Sequence, residues 1–240
     1  MAASIIFDFD GTLAIGHGPV LAYADEAAAF AGTDFRSRVD AALADFDRGD
    51  RTYRDGYDVV GSLAAADGVD EDTLSGAYQR SRLKLGTAAA PVETIEDLAG
   101  FLAALAPHAE LILATNAPEH GLHQVLDSWG ARERFDAVHV NVGKPLGLVD
   151  IARRARARGP VLAIGDIVEF DLAPAWAMGA DTVLVGATAF DSAAPVTMRG
   201  SSLAEMRDGI LSWAQSRSAS DSSSSSSAPL PSPTTESRLS

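Results

Sequence analysis

The chain has 240 residues, 47% of them apolar, and a formal net charge of −14. This composition provides for a buried core, in one domain with a large insertion or in two modest domains. With no cysteine, the chain has no disulfides and no thiolate-bound zinc or iron-sulfur site. The negative charge disfavours duplex DNA and anionic membranes as partners. We expect a cytoplasmic protein, because the sequence has neither a basic, apolar leader nor an apolar run of membrane-spanning length.

Short apolar runs alternate with helical patterns along most of the chain. The runs predict buried strands at 4–9, 110–115, 136–140, 160–165 and 181–186. The patterns between and after them predict helices at 94–106, 118–130, 148–159 and 170–179. This alternation is typical of the α/β class, with a doubly wound parallel sheet that binds ligands beyond the carboxyl ends of its strands.

The first two predicted strands are separated by about 100 residues, far more than one crossover helix needs. Helical patterns at 20–32, 35–47, 53–68 and 70–86 fill this gap. We therefore predict a core formed by 1–16 and 89–215 and a helical cap formed by 17–88. The remaining segment, 216–240, is rich in Ser and Pro, and we expect it to be a disordered tail.

Four short polar motifs stand at the ends of the predicted strands or between them. They are "DFDGT" at 8–12, "ATN" at 114–116, "GKP" at 143–145 and "GDIVEFD" at 165–171. In this order they resemble the four motifs of the haloacid dehalogenase superfamily, over roughly residues 1–190. Each motif alone is weak, but the ordered set is specific, and the resemblance implies a phosphatase with a cap inserted after the first motif.

The resemblance also implies roles for individual residues. Asp8 would be the nucleophile, Asp10 the general acid and base, and Lys144 the cation that neutralises Asp8 and the phosphate. The groups implied to hold magnesium are the Asp8 carboxylate, the Asp10 main-chain carbonyl and Asp166, with Asp171 (or alternatively Glu169) orienting bound water. The residues implied to bind phosphate are Gly11, Thr12, Thr115, Asn116 and Lys144.

Elementary electrostatics supports the same reading. Side chains two apart on an extended segment point the same way, so Asp8 and Asp10 address one small volume. There, repulsion and burial favour one protonated and one ionised carboxyl, suited to an acid and a nucleophile. With Asp166, Asp171 and a phosphate the pocket is strongly negative, and Lys144 alone cannot balance it. A hard divalent cation is therefore expected, and magnesium is favoured because its ligands are carboxylates, a carbonyl, water and substrate phosphate.

The choice of reaction depends on Asp10. Superfamily members that cleave carbon-halogen bonds lack an Asp at this position, since a halide leaving group needs no proton, so Asp10 favours phosphate esters. We expect the substrate to be a small phosphorylated metabolite. A phosphomutase or phosphotransferase would use the same motifs, and a receiver-like phosphorylation switch also combines acidic residues, a Thr and a Lys. The sequence does not indicate an oligomeric state.

Two groups of basic residues lie in the predicted cap and could meet an anionic substrate. They are Arg48, Arg51 and Arg54, and then Arg80, Arg82 and Lys84. A solvent-exposed helix face is the favoured interpretation for both groups.

Overall fold

The computed structural model describes residues 3–224 and contains a six-stranded sheet in which all neighbouring strands are parallel. The strands are β1 (Ala3–Phe7), β2 (Ala109–Ala114), β3 (Ala137–His139), β4 (Val161–Gly165), β5 (Asp181–Leu184) and β6 (Met198–Arg199). The helices are α1 (Gly18–Ala27), α2 (Phe35–Asp47), α3 (Gly56–Ala66), α4 (Glu71–Arg82), α5 (Leu98–Leu105), α6 (Leu122–Ser128), α7 (Leu146–Arg158), α8 (Ala173–Trp176) and α9 (Leu203–Ser224). The predicted α/β class is confirmed.

The strand order β3-β2-β1-β4-β5-β6 places β1 in the middle of the sheet. After β1, the chain adds β2 and then β3 on one side of it. The next strand, β4, pairs with the other side of β1. Such a reversal opens a crevice at the carboxyl ends of the central strands, where ligands bind in open α/β sheets. The first motif follows β1 directly and therefore lies at this crevice.

Alternate residues of β1 pack into separate layers on the two faces of the sheet. Ile5 and Phe7 are fully buried among residues of α5, α6 and α9, whereas Ile6 packs among residues of α7 and α8. A strand covered on both faces has no solvent side, which explains why its sequence is a continuous apolar run.

Helices α1–α4 form the inserted cap and have an apolar cluster of their own. The helical character predicted for this segment is confirmed, and α2 has the predicted bounds, Phe35–Asp47. The start of α3 is capped by Asp55, whose side chain accepts a hydrogen bond from the Asp58 amide at 2.7 Å. The Ile15 amide donates to the Glu93 carbonyl at 2.9 Å, close to where the chain leaves and re-enters the core. The domain boundaries at 17 and 88 stay a prediction.

The predicted start of the disordered tail, at 216, is too early in the sequence. Helix α9 continues to Ser224, so the part of the prediction that covers 216–224 is wrong. Arg217 donates to Asp181 at 3.0 Å, and the Ser218 hydroxyl is hydrogen-bonded to His108 at 3.0 Å. These contacts attach a Ser-rich segment to the core, although its composition alone favours disorder. The rest of the predicted tail, 225–240, lies outside the described residues.

Two further features differ from the predicted elements. The helix predicted at 170–179 consists of a π-helical turn, Val168–Leu172, followed by the short helix α8. Strand β6 has two residues, too short to leave a hydrophobic pattern in the sequence. Within the described residues, none of the helices has the length and apolarity that crossing a membrane requires.

Candidate active site

The carboxyl ends of β1, β2 and β4 bring the predicted polar residues to one edge of the sheet. Asp8 follows β1, Thr115 follows β2 and Asp166 follows β4. Asp171 joins them from the π-helical turn, and one carboxylate oxygen each of Asp8, Asp166 and Asp171 lies within 4.8 Å of the others. Glu169, on the same turn, is exposed and outside this cluster. The structure therefore favours Asp171 over Glu169 as the fourth-motif acid that faces the site.

Lys144 is the cation of the cluster. Its ammonium donates to Asp8 Oδ1 at 2.5 Å and to Asp171 Oδ1 at 2.8 Å, and the side chain is almost completely buried. The Lys144 amide donates to Asn116 Oδ1 at 2.7 Å, which links the loop before α7 to the end of β2. Asn116 thus positions Lys144 with its amide oxygen, and its amide nitrogen is the group left for a ligand.

The site has more buried negative charge than this lysine can balance. Burial and the charge of Asp171 raise the pKa of Asp8 to about 7, against the opposing effect of Lys144. Burial, Asp8 and Asp171 raise the pKa of Asp166 well above its ordinary value. Burial lowers the pKa of Lys144, but Asp8 and Asp171 outweigh it and hold that pKa above the ordinary value. The carboxylates therefore favour an added cation or a bound proton.

Two polar atoms of the first motif are buried without a hydrogen-bond partner. They are Asp8 Oδ2 and Thr12 Oγ1, and both residues line the cavity described below. An orphaned buried carboxylate oxygen is costly unless a ligand satisfies it. With Asp166 and Asp171, the Asp8 carboxylate forms an oxygen-only donor set, which fits a hard divalent cation. The residues present therefore fit the metal that the motifs imply.

Gly11 allows the first motif to turn close to the fourth. Its φ is +83°, and a Cβ on this residue would lie 2.2 Å from Asp166 Oδ2. Its amide donates to the Ala14 carbonyl, and the Thr12 amide donates to the Phe9 carbonyl. Both amides therefore serve the turn itself, and the predicted phosphate contact at Thr12 is left to its hydroxyl.

Thr115 is held as a donor at the end of β2. Its Oγ1 accepts a hydrogen bond from the Ala117 amide at 3.0 Å, which leaves the hydroxyl proton for an acceptor in the site. The residue is 1% exposed and lines the cavity. This geometry suits a contact to a phosphate oxygen.

Asp10 points to the cap. Its Oδ1 accepts hydrogen bonds from the Tyr57 hydroxyl at 3.1 Å and from Arg82 Nη1 at 3.0 Å. Tyr57 is the second residue of α3, and Arg82 is the last residue of α4. The second carboxyl of the first motif is thus held by two helices that lie elsewhere in the sequence.

The exposed helix face predicted for the second group of basic residues is wrong at Arg82. Arg80 and Lys84 are partly exposed and pair with Glu26, but Arg82 is 1% exposed. The spacing of apolar residues in the sequence does indicate that Arg82 is buried. Arg82 continues the spacing of Leu74, Ala77 and Tyr78, which is that of the buried face of a helix, whereas Arg80 lies off that spacing.

A cavity of about 850 Å³ lies between the strand ends and the cap. The cap lines it with Tyr23, Tyr57 and Tyr78, whose rings contact one another at centroid distances of 5.7–6.2 Å. Arg54, from the first basic group, also lines it and lies 4.9 Å above the Phe170 ring of the core. The cavity has the size of a small-molecule site.

Comparisons with solved structures show the same fold in proteins of different activity. YfnB from Bacillus subtilis, described as a HAD hydrolase bound to magnesium, has 18% identity and a TM-score of 0.59, over 88% of this chain and 99% of that one. A HAD phosphatase from Thermococcus onnurineus has 18% identity and a TM-score of 0.51, over 88% and 98%. The L-2-haloacid dehalogenase from Xanthobacter autotrophicus has 18% identity and a TM-score of 0.51, over 88% and 98%.

No curated protein matches the chain. The family model described as haloacid dehalogenase-like hydrolase matches residues 3–179, which include all four motifs and the cap. The match extends over most of the chain and agrees with the fold. The chain belongs to the haloacid dehalogenase-like hydrolase family.

Proposed function

We propose that this hydrolase is a magnesium-dependent phosphatase that cleaves a small phosphorylated metabolite through an aspartyl-phosphate at Asp8. The observation that carries the proposal is the state of Asp8: Oδ1 is held by Lys144, while Oδ2 is buried without a partner in a residue that lines the cavity. A carboxylate held at one oxygen and open at the other is suited to attack.

The first half of the reaction transfers the phosphoryl group to the protein. The Asp8 carboxylate attacks phosphorus and forms an acyl phosphate, while the bond between phosphorus and the leaving oxygen breaks. Asp10 gives its proton to that oxygen, so that an alcohol departs. Lys144 offsets the charge at Asp8, and the Thr115 hydroxyl donates to a phosphoryl oxygen.

The second half restores the enzyme. Asp10 takes a proton from a water molecule and the water oxygen attacks phosphorus. The bond between phosphorus and the Asp8 oxygen then breaks to give inorganic phosphate and the free carboxylate. Asp8, Asp166, Asp171 and the Asp10 main-chain carbonyl would hold magnesium. When bound, magnesium would neutralise these carboxylates and stabilise the charge of the phosphoryl oxygens.

Asp10 is also the reason to prefer phosphate esters over haloacids. A halide departs as an anion without a proton, whereas an alkoxide departing from phosphate needs one. The cavity of about 850 Å³ and its tyrosine-rich wall support a small substrate with an apolar or aromatic part.

We expect hydrolysis of p-nitrophenyl phosphate with added magnesium and none in chelator. A panel of phosphorylated metabolites, ranked by kcat/KM, then identifies the substrate class. Parallel reactions contain a 2-haloacid, or a phosphorylated sugar with a sugar acceptor. Release of halide without release of phosphate would contradict the proposal, and transfer to the sugar hydroxyl would indicate the phosphotransferase instead.

We also expect the chelated protein to lose stability as the pH rises from about 5.5 to about 7.5. Because burial and Asp171 raise the pKa of Asp8 from 3.8 to about 7, the folded protein binds a proton there that the unfolded chain has released. Folded molecules thus bind more protons than unfolded ones, and the free energy of unfolding falls with pH. Magnesium competes with this proton, so it should raise Tm more at the higher pH.

Thermal unfolding followed by circular dichroism measures this effect. Asp8→Asn is the matched control, because every other titratable group is present in both proteins. The difference between the two pH slopes gives the contribution of Asp8 together with its effect on the pKa of Asp166. Equal slopes in the two proteins, or a magnesium effect that does not change with pH, would contradict the assignment.

A further inference from the structure

Arg82 is a buried cation that neither the motifs nor the proposed reaction uses. Its guanidinium is 1% exposed, and its Nε and Nη2 have no hydrogen-bond partner. Its Nη1 donates to Asp10 Oδ1 and to the Tyr57 hydroxyl oxygen, both at 3.0 Å. An arginine loses several favourable contacts with water on burial, so a purely structural position is better filled by an apolar side chain. What Arg82 gains in return is its contact with Asp10.

The cap supplies the side-chain hydrogen bonds of Asp10. Within residues 3–218, the side-chain hydrogen bonds of Asp10 are those from Tyr57 and Arg82. Asp8, by contrast, is held by Lys144 of the core. The orientation of the nucleophile is therefore fixed within the core. The orientation of Asp10 is fixed by Tyr57 and Arg82, which lie 47 and 72 positions further along the sequence.

The three groups form a closed triangle. Arg82 donates to both oxygens, and the Tyr57 hydroxyl donates its proton to Asp10. Burial and the charge of Asp10 raise the pKa of Tyr57 well above its ordinary value, so the phenol stays a donor. Both donors converge on Oδ1, which leaves Oδ2 of Asp10 as the oxygen that can exchange a proton with the substrate.

We propose that Arg82, together with Tyr57, is a positioning residue that turns the free oxygen of Asp10 toward the leaving group, so that the cap completes the general acid of the core. This inference rests on the proposed phosphatase function. A residue that only joined the cap to the core would affect stability and substrate binding, but would not affect one leaving group more than another.

The test is the dependence of kcat/KM on the leaving group, because kcat/KM reports the transfer to Asp8, in which the leaving oxygen takes the proton. p-Nitrophenolate departs readily without a proton, and phenolate does so poorly. We expect Arg82→Met to lower kcat/KM about 10²-fold for phenyl phosphate and less than about 10-fold for p-nitrophenyl phosphate, both with magnesium. The ratio of the two values does not depend on the fraction of protein that is folded.

Four variants complete the experiment. Asp10→Asn shows how far the ratio of the two kcat/KM values changes when the general acid is lost. Tyr57→Phe should change this ratio in the same direction by a smaller factor. Arg82→Lys should give a ratio between those of the wild type and Arg82→Met, because lysine restores one donor. Arg80→Met is the control on the same helix, since Arg80 is partly exposed and pairs with Glu26. Its ratio should equal that of the wild type.

The outcomes separate the two proposals. If the wild type hydrolyses neither aryl phosphate, the proposed phosphatase function fails. If the wild type is active and Asp10→Asn changes the ratio, but Arg82→Met and Tyr57→Phe leave it unchanged, the positioning role is overturned. If Arg82→Met does not fold, Tyr57→Phe and Arg82→Lys decide by the same ratio.

Discussion

Replacing Asp8 by Asn should reduce kcat for aryl phosphates by about 10⁴-fold or more, because the residual rate then comes only from binding and electrostatic stabilisation. The amide has nearly the same shape, and its oxygen can still accept the hydrogen bond that Lys144 donates at 2.5 Å to Asp8 Oδ1. The variant should therefore fold and still bind substrate. What it lacks is the anionic carboxylate oxygen that forms the bond to phosphorus.

A second measurement on the same pair of proteins locates the intermediate. Acid quench of the wild type during turnover, followed by mass spectrometry of peptides, should place a phosphoryl group on the peptide that contains Asp8. The variant should carry none. Retention of a tenth or more of the wild-type kcat by a folded Asp8→Asn protein, or a phosphoryl group on another residue, would remove Asp8 from the role of nucleophile.

The position of this residue could be predicted from the sequence because several independent constraints agree there. An apolar run that is buried on both faces must be a central strand, and in a parallel sheet every such strand ends at the same edge. Asp8, Thr115 and Asp166 each follow one of these runs, so their meeting follows from the topology. The five short apolar runs predicted β1 to β5 to within two residues at every end, since a strand covered on both faces is apolar along most of its length.

The contacts between cap and core could not be predicted in the same way. The pairing of Asp10 with Tyr57 and Arg82 depends on how four helices pack on one another and then on the sheet, and no local pattern encodes that arrangement. The charge of Arg82 predicts a solvent-exposed side chain, and only the helical spacing of its buried neighbours predicts that it is buried. Arg82 is a case where burial periodicity was more informative than residue polarity.

The end of α9 is the opposite case. Composition there favours disorder, because small polar side chains bury little apolar surface. The helix nevertheless continues past 216, and Arg217 pairs with Asp181 at 3.0 Å. Asp181 also accepts a hydrogen bond from the Trp213 indole at 2.7 Å, so one acidic residue of β5 holds two residues of the helix. The amino-acid composition of a short segment does not show a contact with a residue so distant in the sequence.

Replacing Lys144 by Met should cost both activity and stability. The ammonium donates a hydrogen bond to each of Asp8 and Asp171, and its loss leaves these carboxylates buried beside Asp166 without the cation that they contact. Removing one partner of a buried ion pair costs about 3–5 kcal/mol, which corresponds to a fall in Tm of roughly 6–20 °C for a chain of this size. We expect kcat/KM to fall by about 10²-fold or more, because Lys144 offsets the charge of the attacking Asp8 carboxylate and holds its Oδ1.

The pH dependence of this loss distinguishes charge from packing. Without Lys144 the pKa of Asp8 should rise further above the value of about 7 that burial and Asp171 give it, so the folded variant should bind protons over a wider range. Its free energy of unfolding should therefore fall more steeply with pH than that of the wild type, and the gap in Tm should narrow toward about pH 5.5, where Asp8 is protonated. A cavity left by a shorter side chain would cost the same at every pH.

Two further variants make the experiment decisive. Lys84→Met removes a partly exposed cation that pairs with Glu26 in the cap, and exposed pairs are worth at most about 1 kcal/mol, so its Tm should stay close to that of the wild type. The double variant Lys144→Met, Asp171→Asn removes one of the two carboxylates that lose the Lys144 hydrogen bond, and it should regain part of the lost Tm without regaining activity. If Lys144→Met is as stable and as active as Lys84→Met in chelated and in magnesium-loaded protein, Lys144 does not compensate the charge of this site. The excess of buried carboxylates, on which the phosphatase proposal depends, would then have to be balanced by another group.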